Sequence, residues 1–347
     1  YKKCCDQITP EKSKEYYKEK IKEEKDEEKV FKILREADKD YPMDPAFFLP
    51  IVVYSLQKQD RETALQYLQK AWKVMGADLD DVFIMPLINL QLQKGELKKA
   101  EEIVEQARNE KGDSPHLLIS QGEVFKAKGN VREAFQVIDK GLEIEPKNIE
   151  LIVFKLETLM DINNLLPALE VWYNNFDLLE QVQDVYVLKF LKQLLGENFG
   201  LPHKTNAEET KAVLEKAIDA NHLWEEVYEL MGHRKVEEVK EKLAEIKRLI
   251  PDNSKLVTNI MDNYLSVGAY NEVIVYGEKC EKYQENNPNF NQVMAAAFFE
   301  QDQIETAGKY IKKAYNLAKE KTSEEEQAFE RWDIAGDYLR FILEKDD

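Results

Sequence analysis

The residues that could perform catalysis or bind a metal are few in this sequence and are widely separated. A metal site needs paired cysteines or histidines at short, fixed spacings, and only His222 and His233 could approach each other within one short repeat, without a third ligand. The chain also lacks a phosphate-binding glycine loop, a dinucleotide-binding fingerprint, and the HExxH and GxSxG motifs. The candidate residues are His116, His203, His222, His233, Cys4, Cys5 and Cys280. The sequence therefore predicts a protein that is not an enzyme, with no catalytic residue, no metal and no cofactor.

The strongly acidic composition constrains the partners of the chain. Its 347 residues carry a formal net charge of −18 at pH 7. Binding to nucleic acid requires a basic face, so this class of partner is disfavoured. An acidic protein is suited instead to partners with a basic surface. No apolar run approaches the roughly 18 residues that are needed to cross a bilayer.

Two adjacent cysteines, Cys4 and Cys5, follow two lysines near the first residue, in a segment of residues 1–10 that is typical of a tether. They predict an exposed thiol pair, with lipid attachment at Cys4 or Cys5 as the alternative. This processed-looking start favours the periplasmic side of a bacterial cell envelope, with the cytoplasm as the alternative. Cys280 occupies a small-residue packing position, which predicts a buried free thiol.

The segment Pro115–Asn148 predicts two short helices joined by a tight turn. The first helix carries Gly122, and Lys128-Gly129-Asn130 forms the turn. The second helix contains Ala134 and Gly141 and ends at Pro146. Small residues allow two helices to approach closely, and the larger residues between them fill the remaining space.

Other segments repeat this pattern, most often at a spacing of 34 residues. The positions equivalent to Ala134 are Val30, Ala64, Ala100, Ala168, Val239, Val273 and Ala307. The step from Ala64 to Ala100 is 36 residues, and the interval from Ala168 to Val239 is 71 residues, close to two periods. One degenerate repeat fits into that interval, with a second helix that ends on Ala217.

This pattern resembles the tetratricopeptide repeat (TPR) family, in which each repeat is a helix–turn–helix of 34 residues. The resemblance implies an all-α fold, a right-handed superhelical solenoid of antiparallel helix pairs. It implies about nine degenerate repeats and a C-terminal capping helix, each repeat packing only on its neighbours. The predicted segments are a tether at 1–10, an N-terminal array at 11–195, an interrupting loop at 196–206, a C-terminal array at 207–321 and the capping helix at 322–347.

The first helices of repeats two and three are apolar on nearly all sides, although a helix with one solvated face should not be. Each also contains a proline, which removes a backbone hydrogen bond and predicts a kink. In the TPR frame these helices line a groove, and a partner would bury apolar side chains on Leu49, Val53, Val82 and Met85. The predicted partner-binding residues are Leu49, Pro50, Val53, Leu56, Val82, Met85, Pro86, Asn89 and Leu92. The alternative is that the two helices are core elements covered by a neighbour.

Glu150, Glu157 and Asp161 predict an acidic patch farther along the same groove. An apolar floor followed by carboxylates fits an amphipathic protein segment with a basic end. Some TPR proteins hold a chaperone's terminal carboxylate with lysine, asparagine and arginine. Only Asn89 matches that pattern here, which argues against this ligand.

The sequence therefore predicts a non-catalytic scaffold or adaptor that binds a protein segment in a groove. One alternative is a structural component of a membrane-associated envelope assembly, tethered through residues 1–10. Another is an accessory subunit of an enzyme, or an enzyme with a site in the loop 196–206. Fold alone does not decide between these functions.

Overall fold

The computed structural model describes residues 12–182 and 186–320, and that part of the chain contains helices and no strand. Consecutive helices in contact are joined by short turns and so run antiparallel. The predicted all-α fold of helix pairs is confirmed. The helices are α1 (Lys14–Glu23), α2 (Glu27–Asp40), α3 (Pro45–Gln57), α4 (Arg61–Met75), α5 (Asp81–Gln93), α6 (Leu97–Lys111), α7 (Pro115–Ala127), α8 (Val131–Ile144), α9 (Ile149–Asp161), α10 (Leu165–Asn174), α11 (Phe176–Leu179), α12 (Tyr186–Phe199), α13 (Ala207–Gly232), α14 (Val236–Leu249), α15 (Val257–Ser266), α16 (Tyr270–Gln284), α17 (Pro288–Phe299) and α18 (Ile304–Glu320). A 3-10 turn, Gly76–Asp78, lies between α4 and α5.

Seven of the turns inside helix pairs share one backbone geometry. In each of these seven, a residue with positive φ follows the first helix, and the N–H of the next residue donates to the carbonyl five residues before it. The hydrogen bond from Asn130 N to Phe125 O, for example, is 2.9 Å long, and Gly129 between them has φ +77°. This is the Schellman arrangement, which satisfies carbonyls that a helix end leaves without a donor. The residues with positive φ are Gln59, Gly95, Gly129, Asn163, Arg234, Gly268 and Asp302.

Several of the helices that open a pair begin at capping side chains that recur with the repeat. The carboxylates of Asp44 and Asp80 accept from the backbone N–H groups of Ala46 and Val82, and Ser114 accepts from that of Leu117. Such caps satisfy donors of the first helical turn and are worth about 1 kcal/mol each. Turns and caps together fix where each helix starts and stops.

The positions identified by the 34-residue spacing are buried, with one exception. Their side chains have no exposed surface and lie in the fourth position of the second helix of a pair. These residues are Ala64, Ala100, Ala134, Ala168, Val239, Val273 and Ala307. Val30 is the exception, since it holds the same position in α2 but is only half-buried.

Two glycines mark places where a side chain of one helix packs directly on the backbone of another. A methyl group on Gly122 would lie 2.9 Å from Cζ of the Phe154 ring, and one on Gly141 would lie 2.8 Å from Cδ1 of Leu151. Both distances are shorter than real Cβ contacts, so a larger residue at either position would force the α9 side chain that packs on it to move. This confirms the sequence interpretation that small residues permit close approach.

The described helices form two compact units, one ending at Thr158 and the other beginning at Leu159. In the N-terminal unit the core runs from Tyr17 to Val124 and is built on α1 to α7. The predicted division into arrays 11–195 and 207–321 stays a prediction. The tether 1–10 and the capping helix 322–347 lie outside the described residues.

The region around the predicted loop 196–206 contains more helix than expected. Helix α12 continues to Phe199, so the connection occupies residues 200–206. Helix α13 then runs unbroken for 26 residues, although two helices were expected there. The sequence from Ala217 to Trp224 contains no glycine or proline, and nothing in it ends a helix. None of the described helices is long and apolar enough to span a membrane.

The turn geometry predicts opposite effects for reciprocal substitutions. Gln59 adopts φ 58°, which strains a residue with a Cβ, whereas Gly95 adopts φ 76° without strain. We expect Gln59→Gly to raise the free energy of unfolding by about 1 kcal/mol and Gly95→Gln to lower it by about 1–2 kcal/mol. Urea denaturation followed by far-UV circular dichroism measures both. Changes of the same sign would show that the turn conformation does not limit stability.

Candidate protein-binding surface

The predicted groove residues lie on α3 and α5, and three of their apolar side chains are exposed. The exposed fractions are 42% for Val53, 37% for Leu56 and 58% for Val82. Pro50 is exposed as well. Isolated apolar residues are normal on a protein surface. Several exposed apolar residues on two adjacent helix pairs are characteristic of an interaction site.

Other predicted groove residues contribute to the core. Leu49 and Leu92 are half-buried and pack against the main core of the N-terminal unit. Met85 is half-buried against a separate cluster of Ile119, Ile138, Leu151 and Phe154. Neighbouring helices therefore cover part of each of these side chains, and the role of Leu49 and Met85 as the floor of a groove stays a prediction. Pro86 and Asn89 are also half-buried.

Pro50 and Pro86 both lie inside helices that continue on either side of them. Proline has no N–H, so the carbonyls four residues earlier, those of Ala46 and Val82, receive no helical hydrogen bond from these positions. Ala46 and Val82 are both exposed, and solvent or a ligand can reach this part of each helix. The two helices therefore offer acceptors next to apolar side chains.

A depression with a volume of about 540 Å³ lies beside α3 and brings part of the predicted site together. Its apolar lining is contributed by three helices. The residues are Val30, Phe31 and Leu34 from α2, Leu49, Pro50 and Val53 from α3, and Phe83 from α5. The contribution of α2 was missed by the sequence reasoning. The signal that could have identified it is Val30, a larger residue where most repeats have alanine.

The aromatic side chains of this depression are fixed by stacking and by cations. The rings of Phe31 and Tyr54 stack with centroids 4.4 Å apart. Arg35 lies over Phe31 at 5.8 Å and Lys58 over Tyr54 at 5.5 Å. Lys58 also pairs with Glu27 at 3.2 Å, although both side chains are largely exposed and the ion pair adds little stability. These contacts define the shape of the depression before any partner binds.

The three residues of the predicted acidic patch all lie on α9 but are not isolated carboxylates. Glu150 is 3.2 Å from Nε2 of His116, and Glu157 and Asp161 have interacting partners as well. Lys155, on the same helix, pairs with Asp139 of α8 at 2.8 Å. The negative potential of this face is therefore weaker than the sequence alone indicates.

The remaining candidate residues do not assemble into a catalytic or metal site in the described part of the chain. His222 lies within α13 and His233 caps its end, and eleven residues of helix separate them by about 16 Å. No group of three potential metal ligands occurs among the described residues. Cys280 is buried, as predicted, and burial raises the pKa of its thiol to about 11. Cys4 and Cys5 lie outside the described residues.

Two substitutions on α3 distinguish surface from core. Val53→Asp should leave the free energy of unfolding within about 0.5 kcal/mol of the native value, because the new carboxylate stays hydrated. Leu49→Asp should lower it by about 2 kcal/mol or more, because it places a charge against the core. Urea denaturation provides the measurement. An equal loss for both variants would mean that Val53 also belongs to the core.

The comparisons with known proteins find no relative by sequence and a distant similarity to solved structures. No family model matches the chain, and no curated protein matches it. Among solved structures it is similar to a tetratricopeptide repeat protein from Parabacteroides merdae, with 16% identity and a TM-score of 0.33 over 83% of this chain and 97% of that one. It is also similar to the TPR domain of P58(IPK), with 13% identity, a TM-score of 0.33 and coverage of 91% and 93%. A third is the TPR2AB domain of yeast Sti1 in complex with pHSP90, with 13% identity, a TM-score of 0.30 and coverage of 84% and 95%. All three are distant, so the description of this chain rests on its own helices and turns.

Proposed function

We propose that this chain is a non-catalytic protein-interaction scaffold and that its N-terminal unit binds a partner segment on α3 and α5. The exposure of Val53, Leu56 and Val82 is the observation that carries the proposal. These residues belong to helices whose buried faces are already occupied by core contacts. The apolar surface that these side chains still expose would become buried when a partner binds.

The partner of the proposed surface is a protein or peptide. Its apolar side chains would pack on Val53, Leu56 and Val82, and its backbone donors would reach the carbonyls of Ala46 and Val82. A basic end would lie toward the carboxylates of Glu150 and Glu157 on α9. These carboxylates already have partners within the chain. They would therefore contribute more to the orientation of the bound segment and to its association rate than to its affinity.

The other functions considered above stay predictions. Anchoring through Cys4 or Cys5, and with it an envelope location, depends on residues outside those described. An enzymatic or enzyme-accessory role would depend on the connection at 200–206. In this region Leu201 is buried, and Lys255 pairs with Glu197 at 2.8 Å. Both observations are accounted for by the packing of the connection against its neighbours.

Affinity capture with the full chain as bait tests the proposed surface. A double variant, Val53→Asp with Val82→Asp, should lose the partner while keeping the far-UV helical signal. Val275→Asp is a matched control, since Val275 is 67% exposed on α16 in the other unit. The control should retain the partner.

Quantitative mass spectrometry of the captured proteins compares the three baits. We expect the captured amount of one protein to fall about tenfold or more with the double variant and to stay unchanged with the control. If the double variant and the control capture the same proteins in the same amounts, the α3–α5 surface is not the binding site.

A further inference from the structure

The first helix pair lacks the turn that closes the others. In place of a residue with positive φ, Glu24 and Asp26 are extended, with ψ 131° and 114°. Helix α1 also has only ten residues. As a result Val30 is half-buried at a position that is fully buried in every other repeat assigned from the spacing. One face of α2 is left without a neighbour.

The open face of α2 and the exposed face of α3 together form the depression of about 540 Å³. Along α3 it extends from Leu49 to Gln57, which corresponds to about 12 Å of helix. Side chains one turn apart on a helix are separated by about 5–6 Å. The depression is therefore long enough for two bulky side chains from successive turns of one helix, and its walls are apolar and aromatic.

The charges at one end of the depression restrict what can occupy it. Glu24 and Glu27 lie at this end together with Lys25, and α2 begins with Asp26, Glu27 and Glu28. Lys58, the cation nearest to Tyr54, is already paired with Glu27. Among the charged residues that line the depression, two are glutamates and one is a lysine, so a lysine or arginine on the occupant would be favoured over an acidic residue.

We propose that this depression is an anchor site for an amphipathic helix with two bulky apolar side chains one turn apart and a lysine or arginine beside them. The inference rests on the proposed function, because it places such a partner on the same side of α3. It adds a contact surface on α2 and a spacing requirement that the α3–α5 surface alone does not impose. Phe31 and Tyr54, held by Arg35 and Lys58, form the rigid wall against which the pair packs.

Two synthetic peptides test the spacing requirement. Each is a fluorescein-labelled helix of about 16 residues based on alanine and lysine. One carries two phenylalanines four positions apart, on one face, and the other carries them five positions apart, on different faces. Titration of the full chain, followed by fluorescence anisotropy, should show about tenfold or more tighter binding of the four-spaced peptide.

Two variants test the location. Val53→Asp places a charge in the depression and should weaken binding of the four-spaced peptide about tenfold or more. Val275→Asp is the matched control, because Val275 is an exposed valine on α16, away from the depression and from the α3–α5 surface. Its affinity should stay within about twofold of the native value. Glu24→Gln with Glu27→Gln should weaken binding more at low salt than at high salt.

Each contrary result has a separate meaning. If the two peptides bind equally, or neither binds at concentrations up to about 1 mM, the anchor site is overturned. If Leu56→Asp and Val82→Asp weaken binding as much as Val53→Asp, the peptide lies on the general α3–α5 surface, which overturns the anchor and leaves the proposed function standing. The capture experiment with Val53→Asp and Val82→Asp decides the proposed function independently.

Discussion

The structure depends on one backbone interaction, the hydrogen bond that closes the turn inside each regular helix pair. It joins the N–H after the left-handed residue to a carbonyl near the end of the first helix, as in the bond of 2.9 Å from Glu96 N to Gln91 O. The chain then reverses at a fixed angle, and the fourth residue of the next helix faces its neighbours. Because the turn recurs, the same position is buried in one pair after another. Where the turn is missing, between α1 and α2, Val30 is half-exposed and a depression opens.

Much of this fold could be predicted from the sequence because packing constrains the spacing of small residues. Ala134 and its equivalents, and Gly122 beside Phe154, could be identified from residue size and period alone. The turns were less evident, since only some of them contain glycine, and Gln59 and Arg234 adopt positive φ without any local signal. The unbroken α13 was also missed, because the repeat period suggested a turn in a segment that contains no turn residue.

The candidate site was only partly predictable, for a different physical reason. Residue spacing shows which side of a helix a side chain occupies, but not how much of it a neighbouring helix covers. Val53 and Val82 were expected on the surface and are exposed, whereas Met85 on the same helix as Val82 packs into a cluster with Phe154. The open face of α2 depends on the shape of the first connection, and the highly charged sequence around it concealed the apolar residues Val30 and Phe31.

Thiol labelling tests the central claim, that the left-handed turns bury the reference positions and that the first pair, which lacks the turn, does not. Single cysteines replace Val30 or Ala134 in a chain with Cys4 and Cys5 changed to serine. Cys280 stays in place, because its buried thiol has a raised pKa and reacts slowly. We expect Val30→Cys to react with Ellman's reagent within about tenfold of the rate of an unfolded thiol, and Ala134→Cys to react about 100-fold more slowly or less. Equal rates at the two positions would contradict the account.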